Sequence, residues 1–267
     1  MRFCHPWTAA ARLCATLALA AAPAFAFAAP GEADNASTKA PGAGEAIAPQ
    51  PMPASADLGY RSSATLTFMG LPLSLHGRTT TRWRLKDGHY EAQLHIDTVG
   101  FDQVSRGQLA PDGALAPDRY EEKRPFHEPE FVDIDWAHGR IRFGAAGEPV
   151  PAPPQGAQDR LSLQFELARL MQRYPQRFVA GTTHTVKLIG THDVDTWNFL
   201  VDEDNSVETG RGAMHAVHFS ARRTVGKVQE TMDVWLGAEL HWLPVRIRIV
   251  DRKGAVIDSV LADAVLP

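Results

Sequence analysis

The sequence predicts a mainly β protein: an antiparallel sheet with one helix packed on it. Three observations carry this. Stretches with a two-residue apolar period recur along the chain, bounded by turn signals about every ten residues. A single stretch, from Asp159 to about Arg173, has a helical period instead. The stretch Glu230 to Leu261 reads as strand, loop, strand, turn, strand, with connections too short for a parallel crossover.

The N-terminus is set apart before the elements are taken in order. Arg2 and Arg12 accompany an apolar run from Leu13 to Phe27, and Ala24-Phe25-Ala26 and Ala26-Phe27-Ala28 both fit a small-x-small cleavage site. This order predicts a secretory signal peptide over residues 1–28, and hence an exported, periplasmic protein. The run is shorter than the roughly 20 apolar residues of a membrane span, so no transmembrane segment is expected in the mature chain. Cys4 and Cys14 both fall in this segment. The mature chain is therefore expected to be free of disulfides and of thiolate chemistry. Residues 29–57 are rich in Ala, Pro and Gly and poor in large apolar residues, which predicts a disordered linker. Residues 58–267 are then one β domain. The formal net charge of −4 and the lack of any Lys/Arg run argue against nucleic acid as a partner.

Alternation begins at Ala64, Leu66 and Phe68, breaks at Met69-Gly70, and resumes as an extended stretch from Leu75 to Leu85. Gly77 within it suggests a bulge or bend. Asp87-Gly88 is a two-residue hairpin signal leading into Tyr90, Ala92, Leu94 and Ile96. Strands follow at Phe101–Leu109, Arg119–Arg124, Phe131–Trp136 and Arg140–Phe143, with turns at Pro111-Asp112-Gly113 and His138-Gly139. In the helix Leu163, Leu167, Leu170, Met171 and Tyr174 share a stripe that Leu161, Phe165 and Ala168 widen, so most of the helix should be covered. Asp159 is its expected N-cap, and Pro175 ends it. Further strands fit Thr182–Ile189, Val194–Asp202, Ser206–Thr209 and Met214–Arg222. Last come Met232, Val234 and Leu236 on one strand face, Val245, Ile247 and Ile249 on the next, a turn at Lys253-Gly254, and a return strand from Val256 to Leu261.

Three segments carry a resemblance to a known family. They are ATLTFMGLPLSLHGRTTTRWRLKDGHYEAQL, DRLSLQFELARL, and ETGRGAMHAVHFSARR followed by VWLGAELHWLPVRIRIVDRKGAVIDSVL. On these the chain resembles the domain of unknown function 3108 family of exported bacterial proteins. The resemblance implies an exported β-rich protein without an assigned activity. By fold analogy it is also similar to the curved half-barrels of periplasmic lipid carriers.

Catalytic motifs are sparse. There is no G-x-S-x-G elbow and no H-E-x-x-H pair. His215 and His218 point to opposite faces of a regular strand, and His192 with Asp193 and Asp195 forms no tight ligand set. No cofactor or metal is expected. Asp133 and Asp135 share a strand face at a spacing compatible with paired carboxylates, which keeps a hydrolase of cell-wall or lipid material open. The aromatics suggest more. Trp83, Leu94, Trp197 and Phe199, with Leu167 and Met171 of a lid-like helix, could line a concave apolar site for a lipid or other apolar ligand. Trp235, on the polar face of its strand between Asp233 and Thr231, could instead meet an envelope protein. The leading expectation is a non-catalytic domain that binds an apolar or amphipathic envelope component. The alternatives are a protein-binding scaffold and the hydrolase.

Overall fold

In the computed structural model the chain is described over residues 51–68, 71–203, 205–225 and 228–267. The expected signal peptide, both cysteines, most of the expected linker and the Met69-Gly70 break lie outside these residues.

Sixteen strands form one sheet. In chain order they are β1 (Ser55–Phe68), β2 (Leu71–Lys86), β3 (His89–Ile96), β4 (Phe101–Leu109), β5 (Leu115–Lys123), β6 (Glu130–Asp135), β7 (Arg140–Phe143), β8 (Val150–Pro151), β9 (Gln158–Asp159), β10 (Thr183–Ile189), β11 (Val194–Val201), β12 (Asn205–Thr209), β13 (Gly212–Val225), β14 (Val228–Gly237), β15 (Pro244–Val250) and β16 (Val256–Val265). One helix, α1 (Ser162–Arg173), lies between β9 and β10. Across the sheet the order is β8-β7-β6-β5-β4-β3-β2-β1-β16-β15-β14-β13-β11-β10-β9, with β12 added on β13. Every pairing is antiparallel except the two-residue parallel contact of β9 with β10. The sheet curves without closing. Its β9 edge comes round to the inside of β4 and β5, where the Gln158 amide donates to the Leu115 carbonyl at 2.7 Å and the Ser105 hydroxyl to Asp159 at 2.5 Å. The fold class is thus the curved, largely antiparallel sheet with one helix read from the sequence.

The turns follow their residue chemistry. Asp87 and Gly88 both take positive φ, 52° and 75°, the pairing a two-residue hairpin requires. The meander β14-β15-β16 forms as expected. Gly77 does not mark a bulge: β1 and β2 stay in register straight through Ser62 opposite Gly77. Its reason is close approach, since a Cβ there would sit 1.6 Å from the Thr98 hydroxyl oxygen. The register shifts fall elsewhere, at Gly59/Tyr60, Arg106/Gly107 and Trp235/Leu236. The domain also begins earlier than residue 58. Ser55 opens β1, Ala56 is buried, and Trp83 donates its indole N–H to the Pro53 carbonyl at 2.9 Å.

The helix is a plug, not a lid. Every residue from Ser162 to Ala168 is buried. Its broad apolar surface divides between two clusters. Leu161 and Phe165 pack with Ala56, Trp83, Tyr90 and Tyr120 from the first strands, and Phe165 stacks on Trp83 with ring centroids 4.6 Å apart. Leu163, Leu167 and Met171 pack with Leu188, Trp197, Phe199, Phe219 and Val234 from the later strands. A helix with apolar side chains on two sides cannot be satisfied by a single layer, so the sheet wraps it, while its last turn meets solvent at Arg173. The N-cap position is Leu161, which makes no side-chain cap hydrogen bond; the expected cap, Asp159, lies two residues ahead of it and serves the start of the helix from there. One of its carboxylate oxygens accepts the N–H groups of Leu161 and Ser162, each at 2.8 Å, and its own N–H donates to the Ser162 hydroxyl at 3.0 Å.

Candidate functional site

The parity of each strand decides what faces inward, and near one end of the sheet the inward residues change character. On β1, β3, β4, β15 and β16 they are mostly apolar, Ala64, Leu66, Ile96, Phe101, Ile249 and Ile257, with Ser62 and Gln103 set among them. On β5, β11, β13 and β14 they become charged. Glu122 follows Tyr120, Asp195 precedes Trp197 and Phe199, Arg223 follows Phe219 and Ala221, and Glu230 precedes Met232 and Val234. Arg160, just before the helix, and Arg252, in the β15–β16 turn, reach the same space. Together these residues enclose a partly open cavity of about 660 Å³. Its mouth lies where β3–β4, β5–β6, β10–β11 and β15–β16 turn, since Val99, Pro125, His192 and Lys253 line it.

The charged wall is an organised network. Arg223 pairs with Asp195 at 2.6 Å and with Glu230; Arg252 pairs with Glu230 at 2.9 Å, Asp193 at 3.0 Å and Asp195 at 3.3 Å. Two arginines and two carboxylates therefore alternate in a closed ring. The Arg223 guanidinium also lies 4.8 Å from the Trp197 ring centre. Beside the ring, Glu122 is 2 % exposed and accepts from Arg124 at 3.0 Å, Arg160 at 3.3 Å and the Tyr120 hydroxyl at 2.6 Å. The hydrogen bond to Asp193, reinforced by Glu230, raises the Arg252 pKa. For Arg160 burial opposes the charge, but Tyr120, Glu122 and Asp193 outweigh it and raise the pKa. Burial also opposes ionisation of Glu130 at the rim, yet the His192 hydrogen bond and the Arg124 charge hold its pKa below the usual value. These charges are mutually neutralised and fixed in place.

The arrangement sets apolar contact beside paired charges. The Ser62 hydroxyl on the apolar side is bonded to the hydroxyls of Thr79 at 2.7 Å and Ser259 at 2.8 Å. Among the described residues no group of three His, Cys, Asp or Glu is placed to hold a metal ion. Asp133 pairs with Arg119 at 2.6 Å and Arg142 at 2.9 Å, while Asp135 pairs with His138 at 2.7 Å.

The residues expected to line one apolar site are not brought together around one cavity. Trp197 lines the cavity just described. Trp83 instead borders a shallower recess of about 480 Å³, with Met52, Leu85 and Leu109. Leu94 packs against the first core cluster, and Leu167, Met171 and Phe199 are buried within the second. These positions are filled by the helix. Trp235 lies on the outer face, half-buried. The His218 ring stacks on it in parallel at 4.1 Å, and the Arg246 guanidinium lies 4.8 Å from its centre. His218 in turn contacts Asp202 at 2.9 Å and Asp233 at 3.1 Å. The ionised wall was missed in the sequence because its residues are scattered from Glu122 to Arg252. The signal was available: a charge at the end of an otherwise apolar strand parity, as in Glu230-Met232-Val234-Leu236.

Among the described residues no helix is long and apolar enough to cross a membrane. The search of curated proteins gave no match. Among solved structures, the chain is similar to a β-barrel-like protein of domain of unknown function DUF1849 from Brucella abortus. The two share 10% identity over 82% of this chain and 100% of that one, with a TM-score of 0.52. That likeness shows the fold. Weaker matches are a DUF1329 family protein from Desulfovibrio piger (9% identity, 80% and 86% coverage, TM-score 0.24) and a putative outer membrane lipoprotein-sorting protein domain from Vibrio parahaemolyticus (9%, 79% and 85%, 0.23). Their TM-scores are too low to carry an argument. The family model described as protein of unknown function (DUF3108) matches residues 63–260, and the chain belongs to that family.

Proposed function

We propose that this is a non-catalytic binding domain for an amphipathic component of the cell envelope, acting after export to the periplasm and removal of residues up to Ala26 or Ala28. The observation that carries the reading is the two-sided cavity of about 660 Å³, within the usual size range for small-molecule sites. One wall offers apolar contact. The other offers a ring of fixed charges of both signs, suited to a polar group with donors and acceptors. The scaffold reading has less support. The Trp235 ring is covered by His218 and Arg246, and the two end strands of the sheet are two residues long, one of them ending in Pro151. The hydrolase reading loses its carboxylate pair to the ion pairs of Asp133 and Asp135.

Two measurements test the proposal. Native mass spectrometry of protein from the periplasmic fraction should show the shortened chain and a bound amphiphile. Displacement titration with a fluorescent fatty acid should give saturable binding that Ala64→Trp, which fills the cavity from its apolar wall, abolishes. Equal probe binding in both proteins, with no copurifying amphiphile, would count against the cavity as a site.

A further inference from the structure

The apolar wall of the cavity does not stop at its mouth. Strand β16 begins at Val256, opposite Thr65, and β3 ends at Ile96, opposite Thr79. Beyond those points β1 and β2 pair only with each other, through Leu66 with Leu73, Thr67 with Pro72 and Phe68 with Leu71. The pair is therefore a two-stranded arm that continues beyond the neighbouring strands at the end where the cavity opens. Paired residues of an antiparallel ladder share a face, so Leu73 lies on the side of Leu66, which lines the cavity. Leu71 and Leu75, two residues to either side, lie on it too. The other face of β2 carries Pro72, Ser74, His76 and Arg78. Leu71 is 71% exposed and Leu73 44%. From Leu71 to Leu75 this row runs about 13 Å at roughly 3.3 Å per residue. The root of the arm is held by Gly77 against Thr98, at the edge of the same cavity.

An exposed apolar row one strand pair wide, unbroken with a cavity wall, fits a narrow apolar occupant better than a broad protein surface. We propose that the arm holds the alkyl chain of the cavity's ligand. The ligand class is then a long-chain amphiphile. Its polar group lies against the Arg223–Glu230–Arg252–Asp195 ring, and its chain leaves the cavity along Leu66, Leu73 and Leu71. This inference rests on the cavity being an amphiphile site, and the experiment separates the two claims.

Saturated fatty acids of increasing length are competed against a fluorescent fatty acid on the wild-type domain, on the double variant Leu71→Asp/Leu73→Asp, and on Val179→Asp. The last is a control that alters an equally exposed apolar residue (58% exposed) away from the arm. Each methylene added against the arm should tighten binding by up to about 4-fold, from about 0.8 kcal/mol per buried methylene. The wild type and Val179→Asp are expected to keep gaining affinity along the series. The arm variant should match them for short chains and then stop gaining. If the arm variant follows the wild type at every length, the arm does not hold the chain and only the cavity claim survives. If no protein binds any fatty acid, both claims fall. If the arm variant keeps the full length dependence in solution but loses partition onto phospholipid vesicles, the arm is a membrane contact and the inference is overturned.

Discussion

Replacing Leu167 by Ala tests whether the helix is a packed plug. Leu167 is 1% exposed and lies in the cluster formed with Trp197, Phe199 and Val234. The change removes the equivalent of three buried carbons, about 2.4 kcal/mol at roughly 0.8 kcal/mol each. The strands around the site are locked in ladders and can collapse only partly, so a residual void should add about 1 kcal/mol at roughly 24 cal/mol per Å³. A total of about 3–4 kcal/mol results, inside the usual range of 2–5 kcal/mol for Leu→Ala in a core. With a urea m-value near 3 kcal/mol/M, at the upper end for single domains, the midpoint should fall by about 1 M. Equilibrium urea unfolding followed by tryptophan fluorescence measures this directly. Because Leu167 does not line the cavity, the affinity for a fluorescent fatty acid should be unchanged. A midpoint within about 0.2 M of wild type would show that the helix face is not packed as described. An unchanged midpoint with a large loss of probe affinity would restore the lid.

Asp159 supplies a pH signature. Burial raises its pKa from 3.8 to about 6, although the Ser105 hydroxyl and two backbone N–H groups favour the carboxylate. A carboxyl whose folded pKa is raised contributes stability that is present below about pH 4 and is lost as pH rises through about 6. With the pKa raised from 3.8 to about 6, the loss is at most about 3 kcal/mol. Asp159→Asn should flatten the stability profile between pH 4 and 6; parallel profiles would refute the assignment. Gly77 supplies a steric one. Gly77→Ala should destabilise by about 1–3 kcal/mol through its clash with Thr98, and adding Thr98→Gly should recover most of that loss in a double-mutant cycle. Additive losses would mean that the contact is not tight.

What the sequence made legible was local chemistry. Asp87-Gly88 gave its hairpin, Asp159 its bonds to the start of the helix, and the alternations of Met232–Leu236 and Val245–Ile249 their meander, because each depends on neighbours a few residues apart. Gly77 was misread because its partner, Thr98, is distant in sequence and nothing local distinguishes a bulge from a close approach. The helix is packed and largely covered, as its apolar stripe predicts, but the choice between plug and lid could not be read, for a related reason. Its wide apolar face was visible, but only the curvature of the sheet decides whether that face meets one layer or two. The proposed site suffered most. The ring of Asp195, Arg223, Glu230 and Arg252 forms only when four separate segments turn at the same end of the sheet.

The order of strands has a consequence for assembly. The first and last described strands, β1 and β16, are neighbours near the middle of the sheet, while β8 and β9, adjacent in sequence, are its two free edges. The seam is closed by contacts such as Ser62 with Ser259 and Tyr60 with the Pro244 carbonyl, which span almost the whole domain. Each half can zip its own hairpins early, but neither can complete its inner surface until the last strand has been synthesised. Such long-range closure slows folding. It leaves a chain emerging from the ribosome without its closing seam until β16 has been made. The same order makes the domain a ring in all but covalent connection. Joining the outer ends of β1 and β16 and opening the chain between Pro151 and Gln158 would keep every ladder of the sheet intact.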